Sequence, residues 1–476
     1  MLHIIKLIKN SSLKELYFFL FLIAYWFLIW SSIGVEYNSI LHFGYNTTGH
    51  INFFRINTPL LLSIISCIFI FFKIFKIKKI ENYFNIIFLF YLYFFFQLIG
   101  LFLNKDIEIT LGNTFLLILG IGTINIFLYL KIYNYENFSK VLLYVSLVFC
   151  AIFVFFIFIS NINKMSEHLA YSTFYSISLP GDRLLDHAYP RTTGLSRLFA
   201  VVNIFLIAFY LKINPNKKKL AFFILIITTL FGTIIWGFQS RGTIICYFSA
   251  LLIIIFLFKN ENKPKFLNFV LIIILPILIF NGSSTIVKKL YFKYKYDIDI
   301  NTDLPENKRI ELEKKIQQIE NKPIYSNRFM KKNNISSGRV EIWQYVISNY
   351  DKKKIFGYGV QGDRFLLGKK YKTYGNNSSN VFVYFFVSGG YLSIFILILI
   401  ILRILIILLK IYFQSRHEEI KESFIFKLCL MLTIFFLVRG LVENSYGLFS
   451  IDFLLFITSI FIIENLFNKS IRNTIY

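Results

Sequence analysis

Long, nearly unbroken apolar runs alternate with short polar interruptions along most of the chain. The runs from Tyr17 to Trp30, Ile86 to Leu103 and Ile394 to Leu409 are solid, as expected of helices that satisfy their own backbone hydrogen bonds inside hydrocarbon. Strands of a membrane barrel would alternate polar and apolar positions instead. The pattern predicts about twelve spans, near residues 16–35, 58–76, 83–103, 112–131, 140–160, 195–212, 219–238, 242–258, 266–281, 381–409, 424–442 and 449–468. The expected fold is therefore all-α and polytopic. An even count puts both termini on one side of the membrane. No repeat of 20 to 50 residues is visible.

Two connections are long. Residues 161–194 follow the fifth span and residues 282–380 follow the ninth. Connections of that length are commonly functional. The chain thus divides into residues 1–281 with nine spans and the first long loop, a loop domain over 282–380, and three spans in 381–476. Inside the loop domain, Asp303 and Pro305 open a stretch with Leu312, Ile316 and Ile319 on one face and Glu311 four residues before Lys315, which predicts an amphipathic helix. A second helix is predicted from Ser336, with Val340, Trp343 and Ile347 as its apolar face.

Composition makes the membrane reading firm. The 476 residues are 56% hydrophobic and 19% aromatic, with mean hydropathy +0.62, more apolar surface than a soluble core of this size buries. A water-soluble enzyme is excluded. The net charge of +25 would suggest nucleic acid in a soluble protein; here it reads as basic residues at helix ends, which set orientation and reach headgroups. Lys6, Lys9 and Lys14 precede the first span, and Lys73, Lys76, Lys78, Lys79, Lys131, Lys140, Lys217, Lys218, Lys219, Lys259, Lys263 and Lys265 follow even-numbered spans. By the positive-inside rule these ends are cytoplasmic and both long loops lie outside. The first span reads as uncleaved, since no small-residue cleavage site follows it. Cys67, Cys150, Cys246 and Cys429 lie in apolar runs without metal or disulfide spacing, and His42, His50, His168 and His417 have no ligand spacing, so no metal or cofactor is expected.

The polar minority on the outer side carries the candidate chemistry. Arg339 follows Ser337 and Gly338 at the start of a predicted helix, where unpaired N–H groups and the helix dipole disfavour a cation unless an anion joins it. A hydroxyl, an unobstructed N–H and a forked guanidinium are the parts that hold phosphate oxygens; the alternative is an arginine solvated on a basic loop. Arg241 stands in Gln239-Ser240-Arg241-Gly242, a very short outer turn, either reaching lipid phosphate or facing a cavity between helices. Arg191, in Tyr189-Pro190-Arg191-Thr192-Thr193-Gly194, closes the first long loop on the same side. Three such arginines can converge on one diphosphate. Asp186, His187 and Asp363 are the acid or base candidates, against the commoner fate of solvated loop groups. Arg439 and Glu443, four residues apart, are expected to pair within one helix. No GxxxxGK[ST] stretch for nucleotide binding is present.

The order of these pieces resembles the O-antigen ligase and polymerase superfamily. The resemblance is carried by Arg191-Thr192-Thr193-Gly194, Ser240-Arg241-Gly242, Ser337-Gly338-Arg339-Val340-Glu341-Ile342-Trp343, Phe356-Gly357-Tyr358-Gly359, and Ser379-Asn380 with Gly390 ten residues on. It implies a GT-C-like membrane glycosyltransferase in the bacterial inner membrane, with its active site on the outer face. Its substrate would be a polyprenyl-diphosphate-linked oligosaccharide, and its surroundings would include membrane lipids, a chain-length regulator and a flippase, but no nucleic acid. On this resemblance Arg191, Arg241 and Arg339 clamp diphosphate, while Ser337, Gly338, Tyr358, Ser379 and Asn380 line the substrate. One position departs: ligases of the family resemble a pattern with His before the last Asn, where this chain has Ser379. The departure favours a polymerase of surface polysaccharide, with a ligase acting on lipid A core as the alternative. A carrier of the same lipid-linked glycan is a third reading, which ionisable groups or broken helices near the bilayer midplane would favour and charges at span ends disfavour.

Overall fold

The computed structural model describes residues 13–33, 47–74, 85–104, 107–160, 192–213, 216–238, 240–257, 271–283, 339–371, 377–413 and 423–472. Among these residues every regular element is helical and none is a strand. In chain order the helices are α1 (Leu13–Ser31), α2 (Thr47–Ile74), α3 (Ile86–Leu103), α4 (Ile107–Ile132), α5 (Ser139–Ser160), α6 (Thr192–Lys212), α7 (Lys218–Gly237) and α8 (Arg241–Leu257). There follow α9 (Leu271–Ser283), then α10 (Arg339–Ser348), α11 (Gly362–Tyr371), α12 (Val381–Phe413), α13 (Phe424–Gly440) and α14 (Ile451–Arg472). Among the described residues, nine helices are long and apolar enough to cross a membrane: α1 to α7, α12 and α14. This is a multi-pass membrane protein. The remaining expected spans, 242–258, 266–281 and 424–442, fall on the shorter helices α8, α9 and α13.

Several helices overrun their predicted bounds. Helix α2 starts at Thr47 rather than near 58, and α4 at Ile107 rather than 112. Hydropathy registers only the segment suited to hydrocarbon, whereas backbone hydrogen bonding carries a helix on through polar residues until something stops it. Caps mark two of the starts. Asn85 accepts from the Phe88 N–H at 2.9 Å, and the Ser423 hydroxyl accepts from the Phe426 N–H at 3.4 Å. Large apolar side chains such as Phe102 and Phe413 stay 82% and 75% exposed, facing what would be lipid.

The chain forms two compact units, Met1–Ser146 with Gly338–Tyr476, and Leu147–Ser337. In the first, α3 packs along α12 and α4, α13 along α14, and α2 along α4. Buried polar groups register these pairs. The Trp26 indole donates to Ser146 at 2.9 Å, and Tyr93, stacked on Phe385 at 3.7 Å, donates to the Gly447 carbonyl at 2.8 Å. At the far end of α3, buried Glu464 of α14 accepts from the Ile86 N–H at 3.1 Å and pairs with Arg403 of α12 at 3.2 Å. In the second unit α6 packs on α7 and α8, held by Asn203, whose amide donates to the Thr228 carbonyl at 3.1 Å and to the Tyr247 hydroxyl at 2.8 Å.

Helix α12 is not the straight span that its apolar run predicts. It extends to Phe413 and breaks at Gly390, whose φ is +72°. The break leaves the carbonyls of Val387 and Ser388 unclaimed by the helix, and the turn before α11 takes them: Tyr358 N–H donates to Val387 at 2.8 Å and Gly359 N–H to Ser388 at 2.9 Å. A Cβ on Gly390 would collide with the Ile355 carbonyl, and one on Gly357, also at φ +72°, would come within 2.5 Å of the Val387 oxygen. Gly357 and Gly390, two of the three glycines in the Phe356-Gly357-Tyr358-Gly359 and Gly390 pattern, are thus set by one close backbone crossing.

Candidate functional site

The described part of the long loop, residues 339–371, packs in the first unit against the start of α12. Its core is Val346, Tyr350, Tyr358, Leu366 and Leu367 against Val383 and Val387, with Ile342 and Trp343 at the edge. Helix α10 holds Arg339 in its first turn, as expected, while the predicted start at Ser336 lies outside the described residues; its buried face is a correction. Ile342, Trp343 and Val346 turn inward, whereas Val340 and Ile347 are exposed. The anchor is Trp343, whose indole donates to the Ser378 carbonyl at 2.6 Å, and Val346 and Tyr350 follow on the same side.

Around that anchor lies a buried polar network. Asp363, at the start of α11, is 1% exposed. Its Oδ2 accepts from the Ser378 N–H and hydroxyl, each at 2.8 Å, and from the Asn444 amide at 3.3 Å, while Oδ1 accepts from the Arg364 N–H at 2.9 Å. Asn444 Oδ1 in turn accepts from the Asn380 N–H at 2.8 Å. The Asn380 side chain caps α12: Oδ1 accepts from the N–H groups of Phe382 and Val383 at 2.8 and 3.2 Å, and Nδ2 donates to the Leu441 carbonyl at 3.0 Å. One carboxylate and two asparagines therefore join α11, the entry to α12 and the turn after α13.

Ser379 sits at the edge of this network, half-exposed, with φ +46°. Its N–H and hydroxyl both donate to Asn377 Oδ1, at 3.0 and 2.6 Å. Tyr358 is packed: its hydroxyl accepts from the Asp351 N–H at 3.3 Å, its carbonyl from the Asn104 amide at 3.3 Å, and Lys354 lies 4.2 Å over its ring. Burial pushes its phenol up from the ordinary value, so it stays neutral.

Arg339, first residue of α10, is paired with Glu443 at 3.1 Å, and both side chains are about a third exposed or less, 30% and 27%. The anion that a cation at a helix N-terminus calls for is thus supplied by the protein, from the turn after α13. This overturns the expected pairing of Arg439 with Glu443. The Glu443 N–H still reaches the Arg439 carbonyl at 2.8 Å, so the spacing holds at the backbone, but the Arg439 side chain bonds Asp452 of α14 at 3.0 Å instead, both nearly buried.

In the second unit, Arg241 opens α8, half-buried. Beside it Ser240 is buried, with its hydroxyl 3.1 Å from that of Thr243 and its carbonyl accepting from Ile244 N–H at 2.9 Å. Arg191, Asp186, His187, Ser337 and Gly338 lie outside the described residues, as does the predicted helix around 303–320.

Asn444, Ser378 and Asp452 are the participants that sequence reasoning passed over, and Glu443 was read only as a partner of Arg439. Glu443 and Asn444 form a polar pair between two apolar runs, the one signal that pointed to them. Among the described residues, no three His, Cys, Asp or Glu side chains gather as metal ligands. No curated protein and no solved structure matches the chain. Residues 221–398 match the family model described as O-antigen ligase, a segment holding Arg241, Arg339, Tyr358, Asp363, Ser379, Asn380 and Gly390. That match, over less than half of the chain, supports the O-antigen ligase/polymerase superfamily.

Proposed function

We propose that this protein is a surface-polysaccharide polymerase of the inner membrane that acts on polyprenyl-diphosphate-linked oligosaccharides. A sugar hydroxyl of one lipid-linked unit attacks the anomeric carbon of another; the bond from that carbon to the diphosphate oxygen breaks, a glycosidic bond forms, and the hydroxyl proton leaves with the lipid diphosphate. The leaving group is already good, so stabilising its developing charge outweighs a strong base. In this reading Arg339, with Arg241 and Arg191, takes the diphosphate, and Glu443 holds the guanidinium until a stronger anion displaces it. Asp363 and Asn380 position the substrate side through the bonds that fix the entry to α12. Partly exposed Ser379 meets the acceptor.

The observation that carries this reading is Arg339 leading a helix inside the matched segment, partly exposed and balanced by a carboxylate on a separate turn. The basic short connections support an outer-face site with cytoplasmic termini. Purified protein given a lipid-linked repeat unit should produce a ladder of longer glycans and free polyprenyl diphosphate. A ladder unchanged by both Arg339→Ala and Arg241→Ala would sink the assigned roles. A ligase is the second reading, favoured by the description of the matching family model. It predicts transfer to a lipid A core acceptor, enhanced by Ser379→His, whereas a polymerase gives the ladder without that acceptor. A carrier would release no polyprenyl diphosphate in detergent.

A further inference from the structure

In the first unit a cavity of about 490 Å³ opens between α1, α2 and α4, within the ~300–1,000 Å³ typical of ligand sites. Its walls are almost wholly apolar, with Leu22 and Leu62 among them. Phe21, Ile65 and Phe69 on its rim are 50%, 52% and 43% exposed, so it opens sideways. Lys14, Glu15 and Tyr135 close one end. That end is remote from the polar network. Helix α3 runs from Ile86, bonded to Glu464, to Asn104, bonded to Tyr358, and α4 runs back to Tyr129 and Tyr135.

An apolar hollow open to hydrocarbon neither holds water, which needs polar partners, nor stays empty beside fluid chains that can fill it. Its polar end carries opposite charges on adjacent residues. Glu15 accepts from the Tyr135 hydroxyl at 2.8 Å, which orients the carboxylate, and Lys14 is exposed beside it. A purely anionic headgroup would meet Lys14 but be repelled by Glu15. We propose that this cavity binds one amine-bearing zwitterionic phospholipid, an acyl chain between α1, α2 and α4, the phosphate at Lys14 and the ammonium at Glu15. Because the headgroup sits at the opposite end of the unit from Arg339, the occupant is a membrane lipid rather than the polyprenyl substrate.

The test is native mass spectrometry of the full chain, delipidated in detergent and offered equimolar phosphatidylethanolamine, phosphatidylglycerol and a polyprenyl phosphate. One phosphatidylethanolamine should remain bound, preferred over phosphatidylglycerol by up to about fivefold, the scale of one partly exposed ion pair. Leu62→Trp with Ile65→Trp, which fills the hollow, should abolish retention, while Phe222→Trp, on an exposed face of the second unit, should not. Glu15→Gln should erase the headgroup preference and Lys14→Gln should weaken both phospholipids. Wild type without a retained lipid, a preference for the polyprenyl phosphate, or equal retention by the filled variant overturns the proposal. Should the filled variant not fold, an unchanged preference in Glu15→Gln overturns it.

Discussion

At the scale of single residues, the site is held by charges and amides whose partners lie far off in the chain. Arg339 and Glu443 are 3.1 Å apart and partly exposed, so their pairing contributes only modestly, on the order of 0.2–1 kcal/mol. A diphosphate, with more charge and more acceptor oxygens, can displace such a carboxylate. Glu443→Gln should therefore strengthen inhibition of polymer formation by free polyprenyl diphosphate, by up to about fivefold, and Arg339→Ala should weaken it and cut the ladder by roughly tenfold or more. Weaker inhibition in Glu443→Gln would contradict the displacement step. Asp363 is a different case, because it and both of its Ser378 donors are buried, with two part-buried donors beside them. Asp363→Ala leaves the buried Ser378 N–H without an acceptor and the Ser378 hydroxyl with only Asn444 Oδ1 at 3.3 Å, at ~1–3 kcal/mol for a group so stranded. A large drop in melting temperature in detergent is expected, against a small one for Ser379→Ala, whose hydroxyl meets only Asn377.

At the scale of elements, two features of the helices are open to test. The break in α12 exists because the Ile355–Gly359 turn crosses it at backbone distance. Gly390→Ala should destabilise by about 2 kcal/mol or more through collision and a left-handed backbone, while Gly282→Ala in α9, where a Cβ meets nothing within 4 Å, should be close to neutral. Equal melting temperatures for the two variants would refute the crossing as the cause. Helices α13 and α14 are joined by the buried Arg439–Asp452 pair. Removing one partner strands a charge and costs ~3–5 kcal/mol, whereas replacing both by apolar residues is often nearly neutral. Arg439→Met should accordingly be worse than Arg439→Met with Asp452→Leu, as read by thermal melting.

At the scale of the whole molecule, the proposed orientation rests on lysines at the ends of even-numbered spans. In a cysteine-free background, Lys352→Cys should react with a membrane-impermeant maleimide in intact cells and Lys217→Cys only after permeabilisation. The reverse pattern would put the polar network on the cytoplasmic face, where the proposed outer-face polymerisation does not occur.

The helical, membrane-spanning character was determined by the sequence alone, because a solid apolar run has one way to satisfy its backbone in hydrocarbon and that requirement is local. The place of Arg339 in the first turn of α10 was legible for the same reason: unpaired N–H groups at a helix end favour particular neighbours within a few residues. Partner choice was decided only by the tertiary structure. Glu443 lay at the right spacing for Arg439, and its N–H does bond the Arg439 carbonyl, yet packing brought its carboxylate to Arg339 and Asp452 to Arg439. Val340 and Ile347 fitted an apolar stripe, yet the bond from Trp343 to Ser378 fixed which face of α10 is buried. The bracing of Asp363 by Ser378 and Asn444, and the break at Gly390, likewise arise where separate helices meet. Spacing along a chain constrains neighbours within a turn or two, whereas a buried charge or a freed carbonyl takes whichever group packing delivers.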